Sequence, residues 1–185
     1  MFKLIIDQDI ELKILEERHS EEDFQTIDNN RDYLRRWLPW VDNTRSVEDV
    51  KSFIKSCLGQ FADKGEFTAG IWHKGNFAGV ISYMDLDWSH KKVSIGYWLS
   101  PKYTGNGIMT KACKTMVDYA FSELKLHRVE IRCAEGNHKS RAIPERLGFI
   151  EEGVIREEEW LYDHYVSHIV YGMLDVEWER SFADS

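Results

Sequence analysis

The strongest constraint on what this chain can fold into is a change of hydrophobic period midway along it. Val93 to Leu99 reads as a strand, whereas from Gly107 onward Ile108, Met109, Ala112, Met116, Val117, Ala120 and Leu124 recur every three or four residues. Between the two runs lies Lys102-Tyr103-Thr104-Gly105-Asn106-Gly107. A strand that turns through two glycines into a long central helix predicts a mixed α/β chain. The turn also has a chemical use. Glycine reaches positive φ, so the backbone can approach a ligand closely, and the first N–H groups of a helix have no partner within it. A helix start of this kind binds a pyrophosphate through those N–H groups and the positive end of the dipole. Lys102 would add a point charge. A plain strand-to-helix turn would also place glycines here, so the neighbourhood has to decide. A dinucleotide-binding βαβ unit does not fit, because no third glycine follows two residues after Gly107 and no ribose-binding acid ends the next strand in the expected way.

The other elements follow from period and punctuation. Glu11 to Leu15 alternates as a strand, and Glu21 to about Asn30 reads as a helix behind a Ser20 cap. Trp37-Leu38-Pro39-Trp40 interrupts the pattern. Ser46 with Asp49 forms a capping box ahead of an amphipathic helix that carries Val50, Phe53, Ile54, Cys57, Leu58 and Phe61 up to Gly65. Phe67 to Trp72, Phe77 to Asp85 and Val93 to Leu99 should form an antiparallel meander, with Lys74-Gly75-Asn76 as the first hairpin turn. The helix after Gly107 is expected to be the longest in the chain. Arg128 to Cys133 is a further strand, Ser140 to Leu147 a short helix stopped by Gly148, and Val154 to Leu174 two strands around Asp163. No repeat or linker interrupts the 185 residues, 43% of them hydrophobic, so a single domain spanning 1–185 is expected.

Several classes drop out on composition. No apolar stretch approaches the about 20 residues that span a bilayer, and acidic residues follow the N-terminal Met1-Phe2-Lys3 too soon for a signal peptide, which predicts a cytoplasmic protein. Cys57, Cys113 and Cys133 are widely spaced and read as reduced core thiols. His127, His138 and His164 lack metal-ligand spacing, so no metal is implied. A net charge of -8 argues against nucleic acid as a direct partner and favours basic or amine-bearing ones.

Farther along, Asn137, Ser140, Arg141, Ile143, Glu145, Leu147, Gly148 and Phe149 make the run N-x-x-S-R-x-I-x-E-x-L-G-F. Together with the order strand, Pro101, Gly-x-Gly, long helix and strand, this run resembles the GNAT superfamily of N-acetyltransferases. The nearest resemblance is to the RimJ and RimL branch, which acetylates ribosomal-protein N-termini, and it extends from about Ile10 to Trp178. Lys102 stands where that family usually has Gln or Arg. The resemblance implies a mixed α/β GNAT fold: a central, mostly antiparallel sheet with one splayed parallel strand pair and flanking helices. It also implies acetyl-CoA as co-substrate and a possible homodimer. The backbone of Lys102, Thr104, Gly105, Asn106, Gly107 and Ile108 would hold the pyrophosphate. The amides of Tyr97, Trp98 and Leu99 would pair with pantetheine and polarise the thioester, an oxyanion-type contribution that needs no particular side chain. Asn137 would lie along the pantetheine arm and Ser140 near the sulfur, where its hydroxyl could serve the departing thiolate as a general acid. Either residue could instead simply cap the short helix.

Direct transfer needs a neutral amine. An N-terminal α-amine, with a pKa of about 7.7 to 8.0, asks less of a base than a lysine at about 10.4. The stretch Arg156-Glu157-Glu158-Glu159-Trp160 aligns Glu159 with the branch's proposed base. Strand alternation would put Glu157 on the same face, as the reserve, and Glu158 on the other. The segment Leu34 to Trp40 also looks like this branch, where it borders the acceptor groove, and Trp37 and Trp40 would wall that groove. Either tryptophan could equally be a core anchor. The expected reaction is therefore acetyl transfer from acetyl-CoA to the N-terminal α-amine, with a serine start foremost, of a ribosomal protein. A small amine such as a polyamine or an aminoglycoside is the second reading, and a non-catalytic acyl-CoA-binding module the third.

Overall fold

The computed structural model describes residues 3–183. Along them run β1 (Lys3–Ile5), β2 (Ile10–Ile14), α1 (Ser20–Asp28), α2 (Arg31–Leu34), α3 (Val47–Lys64), β3 (Thr68–His73), β4 (Asn76–Asp87) and β5 (Lys92–Leu99). There follow α4 (Ile108–Ser122), β6 (Arg128–Ala134), α5 (His138–Arg146), β7 (Ile150–Leu161), β8 (His164–Leu174) and α6 (Asp175–Ala183). Two compact units share these elements, one taking the chain up to Tyr83 together with Tyr97–Ala112, the other Met84–Gly96 and the residues from Cys113 onward. Strands β4 and β5 and helix α4 each contribute residues to both.

In the first unit β1, β2, β3 and the start of β4 pair antiparallel, with Leu4 opposite Leu12, Leu12 opposite Ile71 and Ile71 opposite Gly79. The β3–β4 hairpin turns on Lys74 and Gly75 at φ 51° and 78°, the paired positive values whose twist matches that of the flanking strands. Helix α3 begins as its capping box predicts: the Asp49 N–H donates to Ser46 Oγ at 3.3 Å and the Ser46 N–H to Asp49 Oδ2 at 2.9 Å. It ends at Gly65, whose φ is 83°. At 18 residues α3 exceeds the 15 of α4, so the helix after Gly107 is not the longest. Its apolar stripe closes over Leu15, Ile27, Leu34 and Trp72. The expected Ser20 cap is also corrected. Ser20 is the first residue inside α1, and its hydroxyl donates to the Glu17 carbonyl at 2.7 Å. A 3-10 turn over Glu17–His19 runs straight into the helix and takes the start upstream.

In the second unit β5 pairs parallel with β6 over Lys92–Arg128, Val93–Val129 and Ser94–Glu130. Strand β5 continues to Leu99 beyond that short ladder. Strand β6 pairs antiparallel with β8 from Arg128–Leu174 to Ala134–His168, and β8 with β7. One face of β6 and β8 buries Val129, Ile131, Cys133, Ile169, Tyr171 and Met173, while the alternate residues Arg128, Glu130 and Arg132 carry charge. The fold is thus mixed α/β and mostly antiparallel with one parallel pair, as the resemblance implied. Among the described residues no helix is long and apolar enough to cross a membrane.

Candidate active site

The glycine loop of the first unit is built to present backbone. Pro101–Tyr103 forms a 3-10 turn whose Tyr103 is buried with its ring 5.7 Å from that of His73. The Thr104 hydroxyl donates to the Pro101 carbonyl at 2.9 Å, and the Asn106 amide to the Thr104 carbonyl at 3.3 Å. These two side chains therefore shape the loop. Gly105 and Gly107 stand at φ 81° and 72° with open space where a Cβ would lie. The first bond of α4 runs from the Lys111 N–H to the Gly107 carbonyl at 3.0 Å, so the N–H groups of Ile108, Met109 and Thr110 lie in the helix's unbonded first turn. Lys102, in the turn that precedes the loop, is exposed, its ammonium 5.4 Å from the Tyr103 ring centre. Open space, glycine backbone, the amides of a helix's first turn and one cation fit a pyrophosphate.

The end of β5 adjoins this loop in the same unit. Tyr97, Trp98 and Leu99 are half-buried, and the Ser100 N–H donates to the Ala78 carbonyl at 2.8 Å. A Cβ at Gly79 would collide with the Trp98 carbonyl oxygen and lie 2.9 Å from the Leu99 Cα, so only glycine permits this approach of the two strands. The Trp98 ring stands 6.1 Å from that of Phe77 and 6.1 Å from that of Trp40. Trp40 is thereby brought to the strand whose amides are the thioester candidates. It also packs against the core cluster, as a core anchor would. Trp37 is half-buried in the preceding turn. Arg31 braces this connection through the Val41 and Thr44 carbonyls at 2.8 and 2.6 Å, and Arg35 through Asp42 at 2.8 Å.

In the second unit the N-x-x-S-R-x-I-x-E run proves to be a helix start with its own anchors. Asn137 is the cap of α5, its Oδ1 accepting the Ser140 N–H at 3.2 Å. Ser140 is therefore not the cap, and its half-buried hydroxyl lies 3.3 Å from Cys133 Sγ. Arg141 Nε donates to the Tyr171 hydroxyl at 2.9 Å, and that hydroxyl donates to Glu145 at 2.8 Å. Burial, opposed by Arg141, raises the Tyr171 phenol above its ordinary value. The conspicuous Arg and Glu of the motif thus fasten α5 to β8. Buried Cys133 as the neighbour of Ser140 is not foreseeable from sequence, because strand alternation shows only that it faces inward.

Glu159 lies on β7 where regular alternation has already failed. The register steps from Ile155–His168 to Glu159–Val166, so four residues of β7 span what two of β8 span. Glu157 takes φ 52°, and its N–H donates to Ser167 Oγ at 3.2 Å. The expectation that Glu157 shares Glu159's face does not survive this bulge. Glu158 reaches Arg132 at 3.4 Å, on the face where Glu159 meets His168 Nε2 at 3.0 Å. Sequence assigns His168 no role, since nothing in the spacing joins it to Glu159. At the other end of β6, Arg128 bridges Glu130 at 2.8 Å and Glu152 at 2.6 Å. Although burial works to raise the Glu130 carboxyl, Arg128 and Arg132 outweigh it and hold the group below its ordinary value. Among the described residues no cluster of His, Cys, Asp and Glu has the arrangement of a metal site.

A mostly antiparallel sheet with one parallel pair, a glycine loop opening a helix, and a capped Asn-x-x-Ser helix define an acyl-CoA-dependent transferase. The acetyltransferase (GNAT) domain matches residues 10–150 of the chain. The chain belongs to the GNAT acetyltransferase family, and it is an acetyl-CoA-dependent N-acetyltransferase. Its relatives include YdaF of Bacillus subtilis (strain 168), provisionally named a ribosomal N-acetyltransferase, 37% identical over 180 residues that cover 97% of this chain and 98% of that one. The ribosomal-protein-serine acetyltransferase of Escherichia coli (strain K12) is 29% identical over 162 residues, covering 86% and 89%. The spermidine N(1)-acetyltransferase of the same organism is 26% identical over 144 residues, covering 75% and 72%. Among solved structures, the microcin C7 self-immunity acetyltransferase MccE in complex with acetyl-CoA and AMP superposes at a TM-score of 0.87, with 28% identity over 91% of this chain and 94% of that one. The ribosomal L7/L12 α-N-protein acetyltransferase RimL in complex with coenzyme A gives 0.88, with 25% identity over 94% and 98%.

Proposed function

We propose that this enzyme acetylates the N-terminal α-amine of a ribosomal protein, a serine start being the first to test, and that residues 1–185 act as one domain. The similarity to the ribosomal-protein-serine acetyltransferase, over 86% of this chain, carries the reading. Chemistry supports it. A terminal α-amine is partly neutral near pH 7, so one carboxylate suffices to take its proton, directly or through a water.

In this reading Glu159 is that base and Glu157 only a reserve. The first-turn amides of α4, with Lys102, Thr104, Gly105, Asn106, Gly107 and Ile108, bind the pyrophosphate of acetyl-CoA. The backbone of Tyr97, Trp98 and Leu99 orients the pantetheine and polarises the thioester carbonyl as negative charge develops on it. Asn137 holds the pantetheine arm and the start of α5 together. Ser140 donates its proton to the departing thiolate, and Trp37 and Trp40 border the acceptor. Acetyl-CoA supplies the activated acetyl group, and no metal takes part.

Thiol release from acetyl-CoA, measured against ribosomal N-terminal peptides, polyamines and aminoglycosides, tests the acceptor. Peptide-dependent release that Glu159→Gln and Ser140→Ala each diminish is the expected result. Release with polyamines alone would move the acceptor to the second reading, which the spermidine acetyltransferase relative and the net charge of -8 favour.

A further inference from the structure

We propose that His168 is the positioning residue of Glu159, acting through Nε2 to hold the carboxylate in the orientation that takes the amine proton. The inference rests on Glu159 being the base. Its grounds are geometric. His168 Nε2 and Glu159 Oε2 are 3.0 Å apart, and the side chains are 18% and 31% exposed, so the bond is partly shielded from water that would otherwise compete for it.

The two residues do not face each other in the strand register. Val166 stands opposite Glu159, and His168 stands opposite Ile155, with the bulge between. Without an added restraint a Glu side chain leaving a bulge samples several rotamers, and only some of them serve a base. Strand β8 supplies two restraints side by side. Ser167 Oγ takes the Glu157 N–H and fixes the bulge, and His168 takes the carboxylate that the bulge releases. The backbone of β8 is itself held, since His168 pairs with Ala134 and the Ser167 carbonyl accepts the Glu135 N–H at 2.9 Å. The neighbouring charges are engaged elsewhere: Arg132 reaches Glu130 at 2.6 Å and Glu158 at 3.4 Å. His168 therefore meets one carboxylate. With a hydrogen on Nε2 the imidazole donates to one Glu159 carboxylate oxygen and leaves the other oxygen for the amine.

The test is a double-mutant cycle read by steady-state thiol release, with the full chain and whichever acceptor supports turnover. His168→Ala should lower kcat by up to about 100-fold, the scale of a catalytic group misplaced by an ångström, while leaving the KM for acetyl-CoA within twofold. His168→Gln, whose amide nitrogen reaches about as far as Nε2, should restore most of that loss. Adding His168→Ala to Glu159→Gln should take away little more, because the histidine acts through the carboxylate. Wild-type kcat in His168→Ala, no rescue by Gln, or losses that multiply in the double variant would overturn the proposal. Should His168→Ala fail to fold, His168→Asn, whose amide is too short to reach, takes its place with the same expectation. Full activity in Glu159→Gln would mark a different failure, that of the base assignment itself.

Discussion

At the scale of single residues, the least comfortable group in the molecule is Asp23. It lies on α1 at 1% exposure, its Oδ1 has no hydrogen-bond partner, and burial pushes its pKa up to about 7. The unfolded chain gives up this proton near the ordinary aspartate value, whereas the fold keeps it to about pH 7. Stability contributed by the protonated form is therefore complete at acid pH, declines as pH rises from the ordinary aspartate range, and is gone above about 7. Each tenfold difference in proton affinity between the folded and unfolded chains is worth about 1.4 kcal/mol. Thermal melts between pH 5 and 8 should show a falling Tm in the native protein and a flatter profile in Asp23→Asn, with the variant the more stable at pH 8. Nothing in the sequence marks this residue, because an Asp in the first turn of a helix is an ordinary sight. Asn137 is marked by its motif; it caps α5, and contact with pantetheine is the role proposed for it. Asn137→Ala should lose about 1 kcal/mol of stability and bind acetyl-CoA more weakly, whereas Asn137→Ser should recover the stability, as melts and calorimetric titration would show.

At the scale of elements, the most informative contrast is between the glycine loop and the β7–β8 hairpin. The loop is readable because its chemistry is local: a change of period, two glycines and a helix start all lie within a few residues. Gly105 at φ 81° borders open space, so the Cβ of Gly105→Ala meets no neighbour and acts on the backbone alone. It should cost about 1 to 2 kcal/mol of strain and raise the Kd for acetyl-CoA at least tenfold, with kcat at saturation little changed. If Kd is untouched, the loop does not hold the pyrophosphate. The hairpin misleads a simple reading, because alternation is valid only while the ladder is regular. Two extra residues between Ile155 and Glu159 reset which carboxylates share a face, and bulges depend on the partner strand as much as on their own. Likewise Arg141 and Glu145 carry no sign in the sequence that they meet on Tyr171, 26 to 30 positions away.

At the scale of the whole molecule, the overall field of an acidic chain of net charge -8 does not favour a strongly anionic co-substrate, and in the proposed reading oriented amides close to the ligand supply the attraction. Saturation with acetyl-CoA at about 100 times its Kd should add about 2.7 kcal/mol of stability, roughly 5 to 10 °C in Tm for a chain of this size. Desulfo-coenzyme A, which keeps the pyrophosphate, should retain most of that rise, and a scan without any rise would remove acetyl-CoA from the reading. The family was legible through the resemblance of its motifs; the mixed α/β class, helix α3 with both its caps, the β3–β4 turn and the glycine loop were legible in the residues themselves. Each of these depends on contacts between residues close along the chain or on a periodicity that burial of one face imposes. The pairing of Ser140 with Cys133, of Glu159 with His168 and of Trp40 with Trp98, and the stranding of Asp23 Oδ1 without a hydrogen-bond partner, were decided only by the tertiary structure. Those contacts join elements distant in sequence, and strand order, bulges and packing choose which side chains meet, so no local period encodes them.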